Sequence, residues 1–405
     1  MKRVTNALRV CRSTPALGSG TVWGRGRAAA APVHGGPGAA GDGGIRFVQA
    51  WTQLLQELTE APGVPGFEGP VRDVMRRHLE PVADEIVTDN LGGVAGVLRG
   101  ASGRPRVMVA GHLDEVGFMV SHVTGEGFLR FQTLGGWWHQ VMLAQRVRVL
   151  TRQGEHTGVI GSKPPHLLSP EDRKKPVEIA EMFIDVGATS REEAEALGIR
   201  PGDPVVPLCP FTRLGSGKLL MAKAWDNRAG CAAAVRVLHD LKGSDHPNTV
   251  YGVGNVQEEV GLRGAQTMSE RIDPDVAFAV DVGIAGDTPG VKETEARARL
   301  GQGPVVLLYD ASMVPHRGLR DLVVDTAAEE GIPLQFEVMP RGGTDAGRMH
   351  LHGSGTPSLA LGPPVRYIHS HASVLHEEDL EQTVRLLTAV IRRLDAETAR
   401  RLREQ

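Results

Sequence analysis

Five short clusters in this chain combine imidazoles with carboxylates: Gly111-His112-Leu113-Asp114-Glu115, Ala224-Trp225-Asp226-Asn227-Arg228, Gln257-Glu258-Glu259-Val260-Gly261, Val280-Asp281-Val282-Gly283 and Tyr367-Ile368-His369-Ser370. Each lies at the end of a segment patterned as a β-strand, and they are spread so widely that only a folded site can bring them together. Two imidazoles and several carboxylates at strand ends are the donor set that a pair of borderline-soft divalent cations requires. The chemistry they point to is metal-assisted hydrolysis.

Taken singly, each cluster has an ordinary explanation beside the chemical one. His112 and Asp114 are two apart and point the same way on an extended chain, so Asp114 either orients His112 or forms a surface hydrogen-bonded pair with it. Asp226 precedes a run of small residues, Ala229 to Ala234, where it either caps a helix or uses its two oxygens to bridge two metals. Glu258 and Glu259 point apart on regular extended backbone. One can then bind metal while the other moves a proton, unless both lie in a solvated loop. Asp281 follows the apolar run Val276 to Val280, and a carboxylate at the end of a buried strand wants a charge partner. His369 has His371 and His376 close behind it, and any of the three could be a loop histidine.

The elements that must position these residues read as an α/β chain. Phe47, Trp51, Leu54, Leu55 and Leu58 recur at helical spacing before Pro62-Gly63, and Val71, Val74, Met75 and Leu79 suggest a second helix. Strands are expected at 92–99 and 106–110. Short β-rich pieces at 127–133, 146–151 and 156–160, separated by Gly/Pro turns, suggest an inserted small β-barrel. A helix at 190–197 interrupts it, capped by Ser190 with Glu193 three residues on. Alternation then resumes, with helices at 228–241, 262–269, 319–330 and 378–396 and strands at 249–256, 276–280, 305–309, 334–338 and 358–361. The expected fold is α/β, a mainly parallel sheet with helices on both faces, and ligands in such sheets sit at the carboxyl ends of the strands. The division that follows is an N-terminal extension over 1–45, a catalytic domain in two parts, 46–118 and 208–405, and an inserted β-rich domain over 119–207.

Composition narrows the partners. The formal net charge is −3 over 405 residues, which gives no global field for nucleic acid or an anionic membrane. No apolar run reaches the roughly 18 to 20 residues of a membrane-spanning helix. Cys11, Cys209 and Cys231 are odd in number and contain no C-x-x-C pair, which fits a reducing compartment and makes cytoplasm the expectation. The segment 1–45 is rich in Arg, Ala, Gly and Pro with no acid before Asp42; it reads as a disordered extension with some likeness to a transit peptide.

Over about Leu54 to Leu387 the ordered motifs closely resemble one family, the dinuclear-metal aminopeptidases that include tetrahedral, glutamyl and deblocking enzymes, some labelled endoglucanase. The residues carrying the resemblance are Gly111 to Phe118, Val256 to Gly264, Ala285-Gly286-Asp287-Thr288-Pro289-Gly290 and Gly342-Gly343-Thr344-Asp345-Ala346. The resemblance implies one metal on His112, Asp226 and Asp281 and a second on Asp226, Glu259 and His369, with Asp226 shared. It implies Glu258 as general base and Asp114 as the carboxylate that orients His112. It also implies peptide substrates, zinc or cobalt (with manganese as a further option), and a homo-oligomer up to a tetrahedral dodecamer built through the inserted domain. After His369 the chain has Ser370-His371-Ala372-Ser373 where the family often has a Ser-Pro-Val-Glu-like sequence, which keeps His371 as an alternative ligand. Charge counting agrees independently: three ligating carboxylates and one hydroxide neutralise two divalent cations and leave Glu258 free. The competing readings are a two-metal amide deacylase, a glycoside hydrolase, disfavoured because that chemistry wants two free carboxyl groups flanking a sugar, and a non-catalytic metal-binding assembly protein.

Overall fold

The computed structural model describes residues 42–404, with side chains from residue 49 onward. The extension expected over 1–45 falls outside the described residues as far as residue 41. Helices α1 (Asp42–Glu60) and α2 (Gly69–Leu79) lead into strands β1 (Glu85–Thr88), β2 (Val94–Arg99) and β3 (Arg106–His112). The β-rich segment follows with β4 (Gly117–Val123), β5 (Leu129–Leu134), β6 (Arg146–Thr151), β7 (Gly154–Gly161), β8 (Phe183–Asp185), α3 (Arg191–Ala196) and β9 (Pro204–Pro207). Next come β10 (Thr212–Leu214), β11 (Leu219–Ala222), α4 (Trp225–Leu241), β12 (Thr249–Asn255), α5 (Arg263–Ile272), β13 (Val276–Val280) and β14 (Gly283–Ile284). The chain continues through β15 (Val305–Asp310), α6 (Arg317–Glu329), β16 (Gln335–Met339), α7 (Ala346–Met349), β17 (Ser358–Gly362), β18 (Pro364–Arg366), β19 (Ser373–His376), α8 (Glu377–Arg393) and α9 (Ala396–Arg403).

Eight strands form one sheet in the order β1-β2-β12-β3-β13-β17-β15-β16. Its centre is parallel, from β12 through β3 and β13 to β17, while β1 with β2, β2 with β12 and β15 with β17 pair antiparallel. The central strands are apolar on both faces because helices cover both. Val107 and Val109 of β3 and Phe278 of β13 pack with α1, α2, α4 and α8, whereas Met108, Ala110, Ala277 and Ala279 point the other way onto α5 and α7. This alternation is the period-two pattern of a strand buried on both sides. α4 approaches most closely. A Cβ at Gly230 would lie 2.0 Å from the carbonyl oxygen of Val280, and one at Gly111 would lie 2.3 Å from the backbone nitrogen of Cys231. The small residues heading that helix are therefore what lets it sit against the sheet.

The strands β4, β5, β8, β7, β6 and β9 close into a barrel with its own core of Phe118, Val120, Leu129, Val147, Val149, Ile160, Ile184 and Val205. Ser190 caps α3 by accepting from the N–H of Glu193 at 3.3 Å, and Glu193 reaches back to the N–H of Thr189 at 2.7 Å.

The structure adds to the sequence expectation or decides between its alternatives in several places. A second sheet, β10-β11-β19-β18-β14, is built from strands of two to four residues, too short to show a period. The helix expected over 378–396 ends at Arg393 and a separate α9 begins at Ala396, its N-terminus capped by Asp395, which accepts from the N–H of Thr398 at 2.7 Å. Asp226 does not cap α4. Asn227 does, accepting from the N–H of Gly230 at 2.9 Å, and this leaves both carboxylate oxygens of Asp226 for other partners. Among the described residues no helix is long and apolar enough to cross a membrane.

Candidate metal centre

Because β12, β3 and β13 run parallel as neighbours, their carboxyl ends open on one edge of the sheet. His112 is the last residue of β3, Glu258 and Glu259 follow β12, and Asp281 follows β13. Asp226 enters from the turn before α4 proper, where Asp226 and Asn227 are non-helical and joined by a cis peptide. His369 comes from the loop between β18 and β19, with φ 54. Ala224, Gln257 and Tyr367 also hold positive φ, so four non-glycine residues in the left-handed region lie at or within two positions of these side chains. Such conformations persist only where the surroundings enforce them, and they gather at functional sites.

His112 Nε2 is 3.0 Å from Asp226 Oδ1, and Asp226 Oδ2 is 3.3 Å from His369 Nε2. His369 Nε2 is also 3.4 Å from Glu259 Oε2. Two sets of three donor atoms result, His112 with Asp226 and Asp281, and Asp226 with Glu259 and His369, each within 4.8 Å of one another. Asp226 belongs to both. Glu258 belongs to neither and lies 3.8 Å from His112. His371, the alternative to His369, is turned away into the barrel side, its ring 5.1 Å from that of Trp137 and 6.3 Å from that of Phe118.

Asp114 does more than the sequence suggested. The Nδ1 of His112 lies 3.0 Å from the backbone carbonyl of Asp114 and 3.5 Å from its carboxylate. That carboxylate also accepts the N–H groups of Glu258 and Glu259, each at 3.0 Å. One residue thus ties the end of β3 to the turn after β12.

The charges are unbalanced. Burial would lower His112, but the charge of Glu258 and hydrogen bonds to Asp114 and Asp226 hold it well above its ordinary range. Burial likewise opposes His369, which Asp226 and Glu259 raise to about 9. Asp226 is held well below the usual carboxylate range by His112 and His369, against the effect of burial. Burial and the charge of Asp226 push both Glu259 and Asp281 to about 8. Glu258 is raised well above the ordinary range, first by burial and then, against His112, by Asp281, Asp345 and Glu259. Buried charges persist when they are paired or bind metal, and here the carboxylates outnumber the imidazoles. Oε1 of Glu259 is buried with no hydrogen-bond partner among the described residues. Oxygen and imidazole nitrogen donors converging with an orphaned carboxylate oxygen fit a pair of divalent cations.

Several contributors carried no sequence signal read at the outset. Gly136, from the barrel segment, turns its backbone to His369 Nδ1. Gly135, with φ +83, passes so near Glu259 that a Cβ would be 3.1 Å from Oε2. The tandem Gly135-Gly136 between apolar residues was the available clue. Glu115, beside Asp114, accepts from Lys223 at 2.5 Å and Arg228 at 3.1 Å with all three buried; only the acidic run Asp114-Glu115 hinted at it. A cavity of about 560 Å³ opens onto the donors, with Leu262, Val282, Ile284, Met339 and Ile368 on its walls and Arg341 among the residues lining it.

Comparison with known proteins agrees with this architecture. The family model described as M42 glutamyl aminopeptidase matches residues 92–386. The chain is 44% identical over 346 residues to the putative aminopeptidase FrvX of Escherichia coli K12, covering 85% of this chain and 96% of that one. It superposes with a TM-score of 0.86 on a TET aminopeptidase from the marine sediment archaeon Thaumarchaeota archaeon SCGC AB-539-E09, at 48% identity, over 88% of this chain and 99% of that one. The TET1 peptidase of Pyrococcus horikoshii, described as able to assemble into a tetrahedron or a large octahedral shell, is 33% identical with a TM-score of 0.76, over 85% of this chain and all of that one. Fold, motif order and matched length agree, and the chain belongs to the M42 family of aminopeptidases, hydrolases of peptide N-termini.

Proposed function

We propose that this protein releases residues from the free N-termini of peptides with two divalent cations, zinc or cobalt, and with Glu258 as general base. The observation that carries this reading is the shared Asp226, at which two three-donor groups meet while Glu258 stays outside both. His112, Asp226 and Asp281 would hold one cation, and Asp226, Glu259 and His369 the other. When bound, such a pair polarises a carbonyl and makes water more acidic.

The remaining work belongs to the side chains. Glu258, buried and with a raised proton affinity, takes the proton of the attacking water and returns it to the leaving amine. Asp114 keeps that base in place by accepting the N–H groups of Glu258 and Glu259. The apolar walls of the cavity hold a side chain and keep bulk water from the reacting bond. Assembly into a homo-oligomer, with the tetrahedral dodecamer as the proposed form, is supported by the likeness to TET peptidases. Cytoplasmic residence is supported by the free thiols Cys209 and Cys231.

The test is a panel of aminoacyl-nitroanilides and short peptides offered with free and with acetylated N-termini. Release from free N-termini alone supports the reading. Equal or faster cleavage of the blocked substrates contradicts it and favours a deacylase.

A further inference from the structure

Two buried oxygens behind the metal centre have no donor. They are Oδ1 of Asp345, the residue before α7, and Oδ1 of Asn255, the last residue of β12; neither makes a hydrogen bond among the described residues. The other half of each side chain is paired, since Asn255 Nδ2 donates to Asp345 Oδ2 at 2.7 Å. Asn255 is 0% exposed and Asp345 2%. An ionised carboxylate has only acceptors and cannot satisfy a carboxamide oxygen, whereas a protonated one carries an O–H. A single proton on Asp345, donated to Asn255 Oδ1, satisfies both oxygens and completes a two-point carboxylic acid–carboxamide pair.

We propose that Asp345 is a neutral carboxylic acid that donates to Asn255, and that this pair is a positioning device for the metal centre. His112 and Asp114 from the end of β3, Glu258 after β12 and Asp281 after β13 surround it electrostatically. Burial raises the proton affinity of Asp345, the direction that favours the acid form. Asn255 lies in register with His112, its carbonyl accepts the N–H of Leu113 at 2.7 Å, and it stands three residues before Glu258. Fixing Asn255 therefore fixes both turns that carry the site. A neutral Asp345 does so without raising Glu258 and Asp281 further. Thr344, hydrogen-bonded through its hydroxyl to Asp310 Oδ2 at 2.9 Å, anchors the turn that delivers it.

The test compares Asp345→Asn and Asp345→Ala in the metal-loaded full chain. The carboxamide of D345N supplies an N–H in place of the O–H, so the two-point pair survives, while D345A leaves the buried amide of Asn255 alone. Zinc affinity, measured by chelator competition, is expected to stay within about threefold of the parent in D345N and to fall about tenfold or more in D345A. An infrared carboxylic-acid C=O band should be present in the parent and absent from D345N. A D345N protein impaired as much as D345A, or a difference spectrum containing only ionised-carboxylate bands, overturns the proposal. The infrared signature needs neither turnover nor a particular metal count, so it reads Asp345 even if the two-cation reading fails, and it stands without D345A should that variant not fold.

Discussion

At the scale of single residues, the proposed function separates carboxylates that would hold cations from one that would handle protons. Glu258 lies in neither donor group, so Glu258→Gln should retain its full metal content while kcat falls by about 10² to 10⁴, the range for removing a general base. Metal analysis beside steady-state kinetics checks this, and near-parental turnover would remove Glu258 from its role. A pH effect follows from Glu259 and Asp281, each raised to about 8 by burial and by Asp226, and from His369, raised to about 9. Below these values the metal-free protein holds protons that a cation must displace. Affinity should therefore rise with pH through neutrality, with protons released on binding. Chelator competition across that range, with proton release measured in parallel, checks the sign, and a pH-independent affinity contradicts it. The five candidate donors that the structure brings together were singled out in the sequence by their chemical types near strand ends and, for His369 over His371, by family resemblance. Gly136, Asn255 and Lys223 were not, because each acts through a partner distant in sequence and has no local pattern of its own.

At the scale of elements, the turns that bear the site are held together by a buried ionic cluster. Arg228 donates to the carbonyls of Ala61 and Gly63, and Lys223 to that of Ala61. Both also meet Glu115, so the α1–α2 connection, the end of β3 and the start of α4 share one carboxylate. Removing it leaves two buried cations without a counter-charge, and Glu115→Gln should cost about 3 to 5 kcal/mol of stability. Lys223→Met should cost less, because Arg228 still neutralises Glu115. Thermal or denaturant unfolding of the two variants gives the order, and the reverse ranking would contradict this account. Elements with full periods were readable from the sequence: β6 and β13 occupy the expected ranges. The half-exposed β1 and the short strands of the second sheet were not. Their pairing is decided by partners far away in the chain, such as β11 with β19, and nothing local records it.

At the scale of the whole molecule, the fold sets a barrel beside an α/β sheet, and the barrel segment reaches the site through Gly135 and Gly136. That contact makes the barrel part of the reaction environment as well as the expected surface for assembly. Large apolar side chains are exposed at Trp138 and Leu167 in the barrel segment and at Val314 and Leu351 elsewhere, and isolated ones are ordinary on a monomer. The assembly claim therefore rests on the family relation, and light scattering should return a multiple of the chain mass, with twelve copies for the proposed tetrahedron; a monomer would refute it. The central claim is tested most directly by titrating zinc or cobalt into metal-stripped protein while following release of an N-terminal residue. The account predicts negligible activity without metal and a rise that ends at two equivalents per chain. Full activity in the stripped protein, or saturation at a single equivalent, would contradict the shared role given to Asp226.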